Sequence, residues 1–113
     1  MELPQIVIIG DGSFNRNNIS EIFKFKNKGL IITGPHVQKI FSHEIDGALS
    51  DLSYDTFIVN EPTYDEAERV LAEAGSANYH FVIGIGGGKT LDIAKYVGFK
   101  LSRPVLSVPT NAS

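Results

Sequence analysis

Five short apolar runs occur along the chain, separated by longer stretches in which apolar and polar residues mix. The runs are rich in valine and isoleucine, and several are continuous rather than alternating between apolar and polar positions. Continuous runs of this length are typical of strands that are buried on both faces of a parallel sheet. The predicted strands lie at 6–9 (IVII), 30–33 (LIIT), 56–60 (TFIVN), 80–85 (HFVIGI) and 104–108 (PVLSV).

Helical patterns occupy the stretches between the predicted strands. The clearest contains Thr63 and Glu66 at the spacing of a capping box, and Gly75 is placed to end this helix in a left-handed turn. Apolar positions recur at i, i+3, i+4 and i+7, so each helix has one face to bury. The predicted helices are 35–41, 62–75, 89–101 and a short one around 19–25, with apolar positions at Ala67, Val70, Leu71 and Ala74 and at Leu91, Ala94, Val97, Gly98 and Leu101.

Length and composition restrict the class of protein. The chain has 113 residues, of which 42% are hydrophobic, and this is enough for one domain with its own core. Strands that alternate with helices predict an α/β fold, in which right-handed crossovers join the strands of a parallel sheet. The net charge of −3 argues against a nucleic-acid partner, because such proteins need a basic surface to neutralise phosphates.

The sequence carries no sign of secretion or membrane insertion. It lacks an apolar run of about 18 residues, which a membrane span needs, and its first residues lack the basic segment of a signal peptide. The absence of cysteine excludes disulfides and fits a reducing compartment. We therefore expect a cytoplasmic protein with no membrane span.

The segment VIGIGGGKTLDIAK at 82–95 places three consecutive glycines between a predicted strand and a predicted helix. In open α/β sheets, ligands bind beyond the carboxyl ends of the strands, and free amides at a helix N-terminus favour an anion such as a diphosphate. The glycines would let phosphates approach the main chain, the lysine would add a positive charge, and the threonine and aspartate would offer oxygen atoms. The residues of this predicted site are Gly86, Gly87, Gly88, Lys89, Thr90 and Asp92.

Two familiar glycine-rich motifs do not fit this segment. Gly88, Lys89 and Thr90 match the end of a P-loop motif, but its first glycine would fall where the chain has Ile83. The GxGxxG motif fails from Gly84, because its third glycine would stand at Lys89, and it fails from Gly10, because Asn15 stands there. The alternative to an anion site is therefore a tight turn from strand to helix that holds no ligand.

Two segments resemble a known family. GGGKTLDIAK at 86–95 and SVPTNAS at 107–113 are separated by the end of one helix and the start of a strand. Together they are similar to the polyol dehydrogenase and dehydroquinate-synthase-like group, which includes the iron-containing alcohol dehydrogenases. Within that group, the chain looks most like the archaeal-type sn-glycerol-1-phosphate dehydrogenases, and the element order agrees along the whole chain.

The resemblance implies the N-terminal part of a two-domain enzyme. Residues 1–113 would form its Rossmann-like, NAD(P)-binding domain, and the C-terminal helical domain, where the family binds a catalytic zinc through one aspartate and two histidines, is expected to be absent from this chain. The implied reaction reduces dihydroxyacetone phosphate to sn-glycerol 1-phosphate for archaeal membrane lipids, with NADPH or NADH, in a homo-oligomer. No catalytic or metal-binding residue is expected here, and the spacing of His36, His43 and His80 matches no ligand pattern.

The resemblance also implies which residues contact the cofactor. Thr110 and Ser113 match hydroxyl residues near the nicotinamide, and Leu91 lies within the stretch that follows the glycines. The predicted cofactor-binding residues are Thr33, Gly34, Gly86, Gly87, Gly88, Lys89, Thr90, Leu91, Asp92, Thr110 and Ser113.

The residues after the second predicted strand bear on the choice of nucleotide. Related glycerol dehydrogenases often have an acid there, which binds the adenosine ribose hydroxyls and repels a 2′-phosphate. This chain has Thr33 as a hydroxyl donor, then Gly34 and Pro35, with His36 and Lys39 nearby. We therefore predict that NADPH is accepted at least as well as NADH. The alternative is that the glycine and proline only start a helix.

Two other functions are compatible with the same residues. A glycerol dehydrogenase or another iron-containing alcohol dehydrogenase-like enzyme would share the glycine motif. A stand-alone nucleotide-binding module would use the same motif and have no chemistry of its own. A partner polypeptide that co-purifies with the chain would argue against the stand-alone module.

Overall fold

The computed structural model describes residues 5–7, 28–48 and 53–110. Strands and helices alternate within them. The strands are β1 (Gln5–Val7), β2 (Lys28–Thr33), β3 (Ser53–Ile58), β4 (Phe81–Gly86) and β5 (Val105–Pro109). The helices are α1 (Pro35–Ala48), α2 (Tyr64–Ala74) and α3 (Gly88–Leu101).

All the strand pairs are parallel, and the strands lie in the order β1-β5-β4-β2-β3. From β2 the chain proceeds to its neighbour β3, whereas from β4 it proceeds in the opposite direction to β5. The direction of winding therefore reverses between β2 and β4, where Thr33 pairs with Ile85. A reversal of this kind opens a crevice at the carboxyl ends of the two strands.

Helices α2 and α3 pack on one face of the sheet, and the core lies between them and the strands. Helix α3 approaches β4 closely because Gly84 has no side chain: a Cβ atom there would lie 2.5 Å from the Ala94 Cβ. This close packing determines where α3 begins. The buried cluster on this face comprises Leu30, Ile32, Val59, Ala67, Val70, Ala74, Tyr79, Val82, Ile93, Ala94, Val97 and Val105.

The predicted α/β class with a parallel sheet is confirmed, and each predicted run overlaps a strand. Residues 8–9 of the first run and the short helix around 19–25 lie outside the described residues. The helix predicted over 35–41 is longer and extends to Ala48. Among the described residues, no helix is both long and apolar enough to cross a bilayer.

The ends of α2 agree with the prediction only in part. Thr63 is the N-cap, and its Oγ1 accepts a hydrogen bond from the Glu66 amide at 3.3 Å. The reciprocal bond of a capping box is not made, because the Thr63 amide donates to the Glu61 carbonyl at 2.8 Å and the Glu66 carboxylate accepts from Arg69 at 2.9 Å. The left-handed turn predicted at Gly75 was wrong, since its φ of −63° and ψ of −28° are right-handed.

Candidate nucleotide-binding site

The turn between β4 and α3 begins at Gly86. Its φ of 152° lies in the region that favours glycine, and a Cβ atom there would lie 3.2 Å from the side chain of Thr90. The Gly86 carbonyl accepts a hydrogen bond from the Thr110 amide at 3.0 Å. The backbone therefore needs glycine at this position, and the turn is held next to the end of β5.

Helix α3 has no side-chain cap at its N-terminus. Gly87 is the N-cap in an extended conformation, and no acidic residue lies in the first turn. The first bond within the helix is donated by the Leu91 amide to the Gly87 carbonyl at 3.0 Å. The amides of Gly88, Lys89 and Thr90 precede that bond and have no acceptor within the helix. They give this end of α3 a partial positive charge that favours an anion.

Gly88 is not required by the packing of the chain. It is exposed and helical, and a Cβ atom built on it meets no atom within 4 Å. Alanine would be a better helix former at such a position. The missing side chain leaves the main chain open to a ligand, which distinguishes Gly88 from Gly86.

A cleft of about 380 Å³ separates this turn from the end of β2, at the point where the winding of the sheet reverses. The structure brings together five of the residues predicted from the sequence. Val59, Asn60 and Pro62 were not predicted, although they follow β3, whose carboxyl end reaches the same edge of the sheet. The lining residues are Gly34, Pro35, His36, Val37, Val59, Asn60, Pro62, Gly87, Gly88, Lys89 and Thr90.

Thr33 does not offer its hydroxyl to this cleft. The residue is fully buried, and its Oγ1 donates a hydrogen bond to the Ile85 carbonyl at 2.8 Å. The prediction of a free hydroxyl donor at Thr33 was therefore wrong, because that group joins β2 to β4. The adjacent Gly34 does line the cleft.

Leu91 and Asp92 also lie away from the cleft. The Leu91 side chain is 8% exposed and packs near Gly84, and its amide is used within the helix. The side chain and amide of Leu91 thus serve the core and the helix. Asp92 is exposed and lines a neighbouring groove of about 240 Å³ between α2 and α3, in which Lys89 also takes part.

Thr110 follows β5 at the same edge of the sheet. Its Oγ1 is buried and has no hydrogen-bond partner among the described residues. Buried hydroxyls are usually hydrogen-bonded, so an unpartnered one beside the turn fits a polar group of a ligand. Ser113 lies outside the described residues, and its predicted contact stays a prediction.

The three histidines are dispersed. His36 and His43 are exposed on α1, whereas His80 precedes β4 and its Nδ1 is buried without a partner in the described part of the chain. Within residues 5–7, 28–48 and 53–110, no three histidine, cysteine, aspartate or glutamate residues lie close enough to hold a metal ion.

A pair of tyrosines borders the groove between α2 and α3 and was not singled out in the sequence. The hydroxyls of Tyr64 and Tyr96 lie 2.7 Å apart, and Tyr96 also donates to the Glu68 carboxylate at 2.8 Å. The bond to Tyr64 is the main cause that raises the pKa of Tyr96, followed by burial and the Glu68 carboxylate. The two tyrosines are 32 positions apart in the sequence and lie on different helices, so no signal in the sequence indicated this network.

The order of the strands and the cleft at the reversal define a Rossmann-like α/β domain. The sequence model of the iron-containing alcohol dehydrogenase family matches residues 11–113. The chain belongs to the iron-containing alcohol dehydrogenase family.

The relatives are consistent with this assignment. The chain is 39% identical to the glycerol-1-phosphate dehydrogenase of Metallosphaera sedula and 35% identical to that of Sulfolobus acidocaldarius, and each comparison covers 100% of this chain and 33% of the relative. The chain thus spans about a third of the length of these curated relatives.

Solved structures share the fold. Glycerol dehydrogenase from Schizosaccharomyces pombe superimposes with a TM-score of 0.73 at 23% identity, over 94% of this chain and 27% of that one. An iron-containing alcohol dehydrogenase from Thermotoga maritima gives a TM-score of 0.73 at 23% identity, over 97% and 37% of the two chains. At this identity the similarity bears on the fold alone.

Proposed function

We propose that the chain binds NADPH or NADH in the cleft at the reversal point, as the nucleotide-binding portion of a glycerol-1-phosphate dehydrogenase. The diphosphate would lie against the amides of Gly88, Lys89 and Thr90. The uncapped start of α3 carries the proposal, because these amides have no acceptor within the helix. Gly88 leaves them open to a ligand, although the packing of the chain does not require glycine there.

The adenosine end would occupy the part of the cleft between Gly34 and Asn60. No carboxylate is among the described residues that line this cleft, so a 2′-phosphate would meet no repulsion from them. His36 lines the same space, and Lys39 is exposed on the same helix. These groups support the proposal that NADPH binds at least as well as NADH.

The nicotinamide end would extend toward the end of β5. Thr110 and Ser113 are proposed to hold it, and the unpartnered Thr110 hydroxyl supports this direction. When bound, the reduced nicotinamide supplies a hydride to a carbonyl carbon of the substrate. The chain's own contribution is to hold and orient the dinucleotide, and we assign no catalytic acid to the described residues.

The names of the relatives support dihydroxyacetone phosphate and sn-glycerol 1-phosphate as the substrate pair, for the backbone of archaeal lipids. We propose that residues 1–113 form the NAD(P)-binding domain. A helical domain that binds zinc would be supplied by another part of the polypeptide. No step proposed for the present residues depends on that metal.

Titration with the two nucleotides tests the proposal. NADPH and NADH are added to the full-length protein, and binding is followed by the fluorescence of the reduced nicotinamide. We expect saturable binding of both nucleotides, with a Kd for NADPH equal to or below that for NADH. A preference for NADH of about a hundredfold, or about 2.7 kcal/mol, would contradict the interpretation of the cleft.

The substrate requires a separate measurement. Reduction of dihydroxyacetone phosphate by the full-length enzyme, with little oxidation of glycerol, is the expected result. Oxidation of glycerol alone would favour a glycerol dehydrogenase. The absence of any dinucleotide binding would remove the basis of both activities.

A further inference from the structure

We infer that Thr33 is a positioning residue for the glycine turn. Its buried hydroxyl holds the peptide that precedes Gly86 and thereby orients the amides at the start of α3. This inference rests on the proposed function, because those amides matter only if the turn binds a dinucleotide.

The hydroxyl of Thr33 stands at the end of β2, directly beside β4. Thr33 pairs with Ile85 in the parallel register, it is 0% exposed, and its Oγ1 donates to the Ile85 carbonyl at 2.8 Å. Burying a hydroxyl costs free energy unless the group is hydrogen-bonded. The bond to Ile85 satisfies the Thr33 hydroxyl and makes a specific polar contact between β2 and β4.

The contact acts on the peptide bond that enters the turn. Because the peptide unit is planar, holding the Ile85 carbonyl also fixes the amide nitrogen of Gly86. Gly86 then adopts its φ of 152°, and its own carbonyl accepts from the Thr110 amide at 3.0 Å. Two successive carbonyls are thus held from opposite sides, one by β2 and one by the residue after β5.

The consequence reaches the proposed diphosphate site within a few residues. Gly87 is the N-cap that follows this held segment, and the three amides without a helical acceptor come next. Without the hydroxyl of Thr33, the peptide before Gly86 would be held less firmly and the amides would point less uniformly at the ligand. Loss of the hydroxyl should therefore reduce affinity for the dinucleotide beyond any effect on stability.

Three substitutions isolate the hydroxyl. Thr33→Ser and Thr33→Ala both remove the methyl group and differ by one oxygen atom, whereas Thr33→Val keeps the shape and removes the donor. NADPH is titrated into each full-length variant. We expect Thr33→Ser to bind within about twofold of the wild type, and Thr33→Ala and Thr33→Val to raise the Kd by about tenfold, as for the loss of one buried hydrogen bond.

Ile31→Val is the matched control. Ile31 lies in the same strand, on the same face of the sheet, and is fully buried, but it has no polar group in its side chain. Its truncation should lower the melting temperature without raising the Kd. If Thr33→Ala and Thr33→Val fail to fold, Thr33→Cys is used instead, because it retains a weaker donor of similar size. Its Kd is expected to lie between that of Thr33→Ser and about ten times that of the wild type.

Several outcomes would overturn the inference. Equal affinity of the serine, alanine and valine variants would show that the hydroxyl does not orient the turn. If the alanine and valine variants do not fold, a Kd of Thr33→Cys equal to that of the wild type would show the same. A rise in Kd for Ile31→Val as large as that for Thr33→Ala would show that the loss of affinity follows from lower stability of the sheet and not from the missing hydroxyl. In each case the wild type would still bind NADPH. A wild type that binds no dinucleotide would instead contradict the proposed function itself.

Discussion

The three consecutive glycines have three different physical reasons. Gly86 is needed for its positive φ, Gly87 forms an extended N-cap without a side chain, and Gly88 leaves open space at the first helical residue. The sequence indicated that three glycines exceed the needs of a turn. Only the backbone angles and the space around each residue distinguish Gly86, which the fold requires, from Gly88, which leaves the main chain open.

Gly88→Ala should separate stability from binding. The added methyl group meets no protein atom, and alanine loses less conformational entropy than glycine on folding, so we expect a gain of about 0.4–1 kcal/mol in the free energy of unfolding. The same methyl group would lie where the diphosphate must approach, and the Kd for NADPH should rise at least tenfold, or about 1.4 kcal/mol. Thermal denaturation and fluorescence titration measure the two effects.

Gly47→Ala provides the control for that variant. Gly47 lies in α1, is exposed, and also has no atom within 4 Å of a built Cβ. It should raise stability similarly and leave the Kd unchanged. A Gly88→Ala protein that binds NADPH as tightly as Gly47→Ala would place the diphosphate elsewhere.

Thr33 shows what residue-level patterns miss. A threonine after an apolar strand is equally compatible with a ligand contact and with a buried hydrogen bond. The bond it makes, to Ile85, joins residues that are 52 positions apart in the sequence. Thr33 reaches Ile85 only because β2 and β4 are neighbours in the sheet, and the properties of single residues do not predict the order of the strands.

At the level of the elements, the C-terminus of α3 is formed by a residue that is not glycine. Ser102 has φ 57° and ψ 45°, in the left-handed region. Its amide donates to the Phe99 carbonyl at 3.1 Å, and the next amide, of Arg103, donates to the Gly98 carbonyl at 2.9 Å. These two bonds form a Schellman motif, which usually has glycine at the left-handed position.

Ser102→Gly should therefore stabilise the fold. Glycine adopts the left-handed conformation without the steric cost of a Cβ atom, and we expect about 0.5–1 kcal/mol, at the lower end because glycine loses more chain entropy on folding. Urea denaturation of the wild type and the variant measures the difference. No effect on NADPH affinity is expected, since the proposed site is at the opposite end of α3. A loss of stability would contradict the strain at Ser102.

The helix ends also show why local signals predict unevenly. Thr63 was recognised as a cap because its bond to the Glu66 amide needs only the local chain. Gly75 was expected to be left-handed, but the chain there remains right-handed and turns through a bond donated by the Ala77 amide to the Ala74 carbonyl. A glycine permits a left-handed turn without requiring it. The left-handed turn at Ser102 carries no glycine and left no signal.

For the whole molecule, hydrophobic periodicity was sufficient to predict the alternating strands and helices. It could not predict the strand order, and hence which loops meet. Gly34 and Gly87 line one cleft only because β2 and β4 are neighbours while the chain winds away from them in opposite directions. The sequence therefore predicted residues of the candidate site after β2, β4 and β5, whereas Asn60 and Pro62, which follow β3 and line the same cleft, were found only in the structure.

A polar contact at the amino-terminal side of the sheet should make global stability depend on pH. The Tyr79 hydroxyl donates to the Asp55 carboxylate at 2.6 Å, and the Lys28 ammonium lies 3.4 Å from that carboxylate. The bond from Tyr79 is the main cause that lowers the pKa of Asp55, with a smaller contribution from Lys28. Because this pKa is lower in the folded state, the stabilisation is present above the unfolded value of about 3.9 and is lost as the pH falls through the folded value.

Tyr79→Phe should remove most of that dependence. We expect the free energy of unfolding to fall by about 1 kcal/mol near neutral pH. This is less than is usual for a hydrogen bond to a charged acceptor, because the Asp55 side chain is 51% exposed. The difference from the wild type should shrink as Asp55 becomes protonated. Denaturant melts between pH 2 and pH 7 measure the difference in stability between the wild type and the variant. Tyr64→Phe serves as the control, because the hydroxyl that it removes contacts another tyrosine. A difference that stays constant with pH would exclude Asp55 as the cause.

The position of β1 at one edge of the sheet has a consequence for how the protein is made. Gln5 pairs with Val105, a residue far along the sequence, and among the described strands β1 has no other neighbour. On a ribosome, β1 emerges long before β5 and must wait for it before it can join the described sheet. Pairings so distant along the chain slow folding and expose an unpaired strand during synthesis. The nascent protein should therefore depend on chaperones most at this strand.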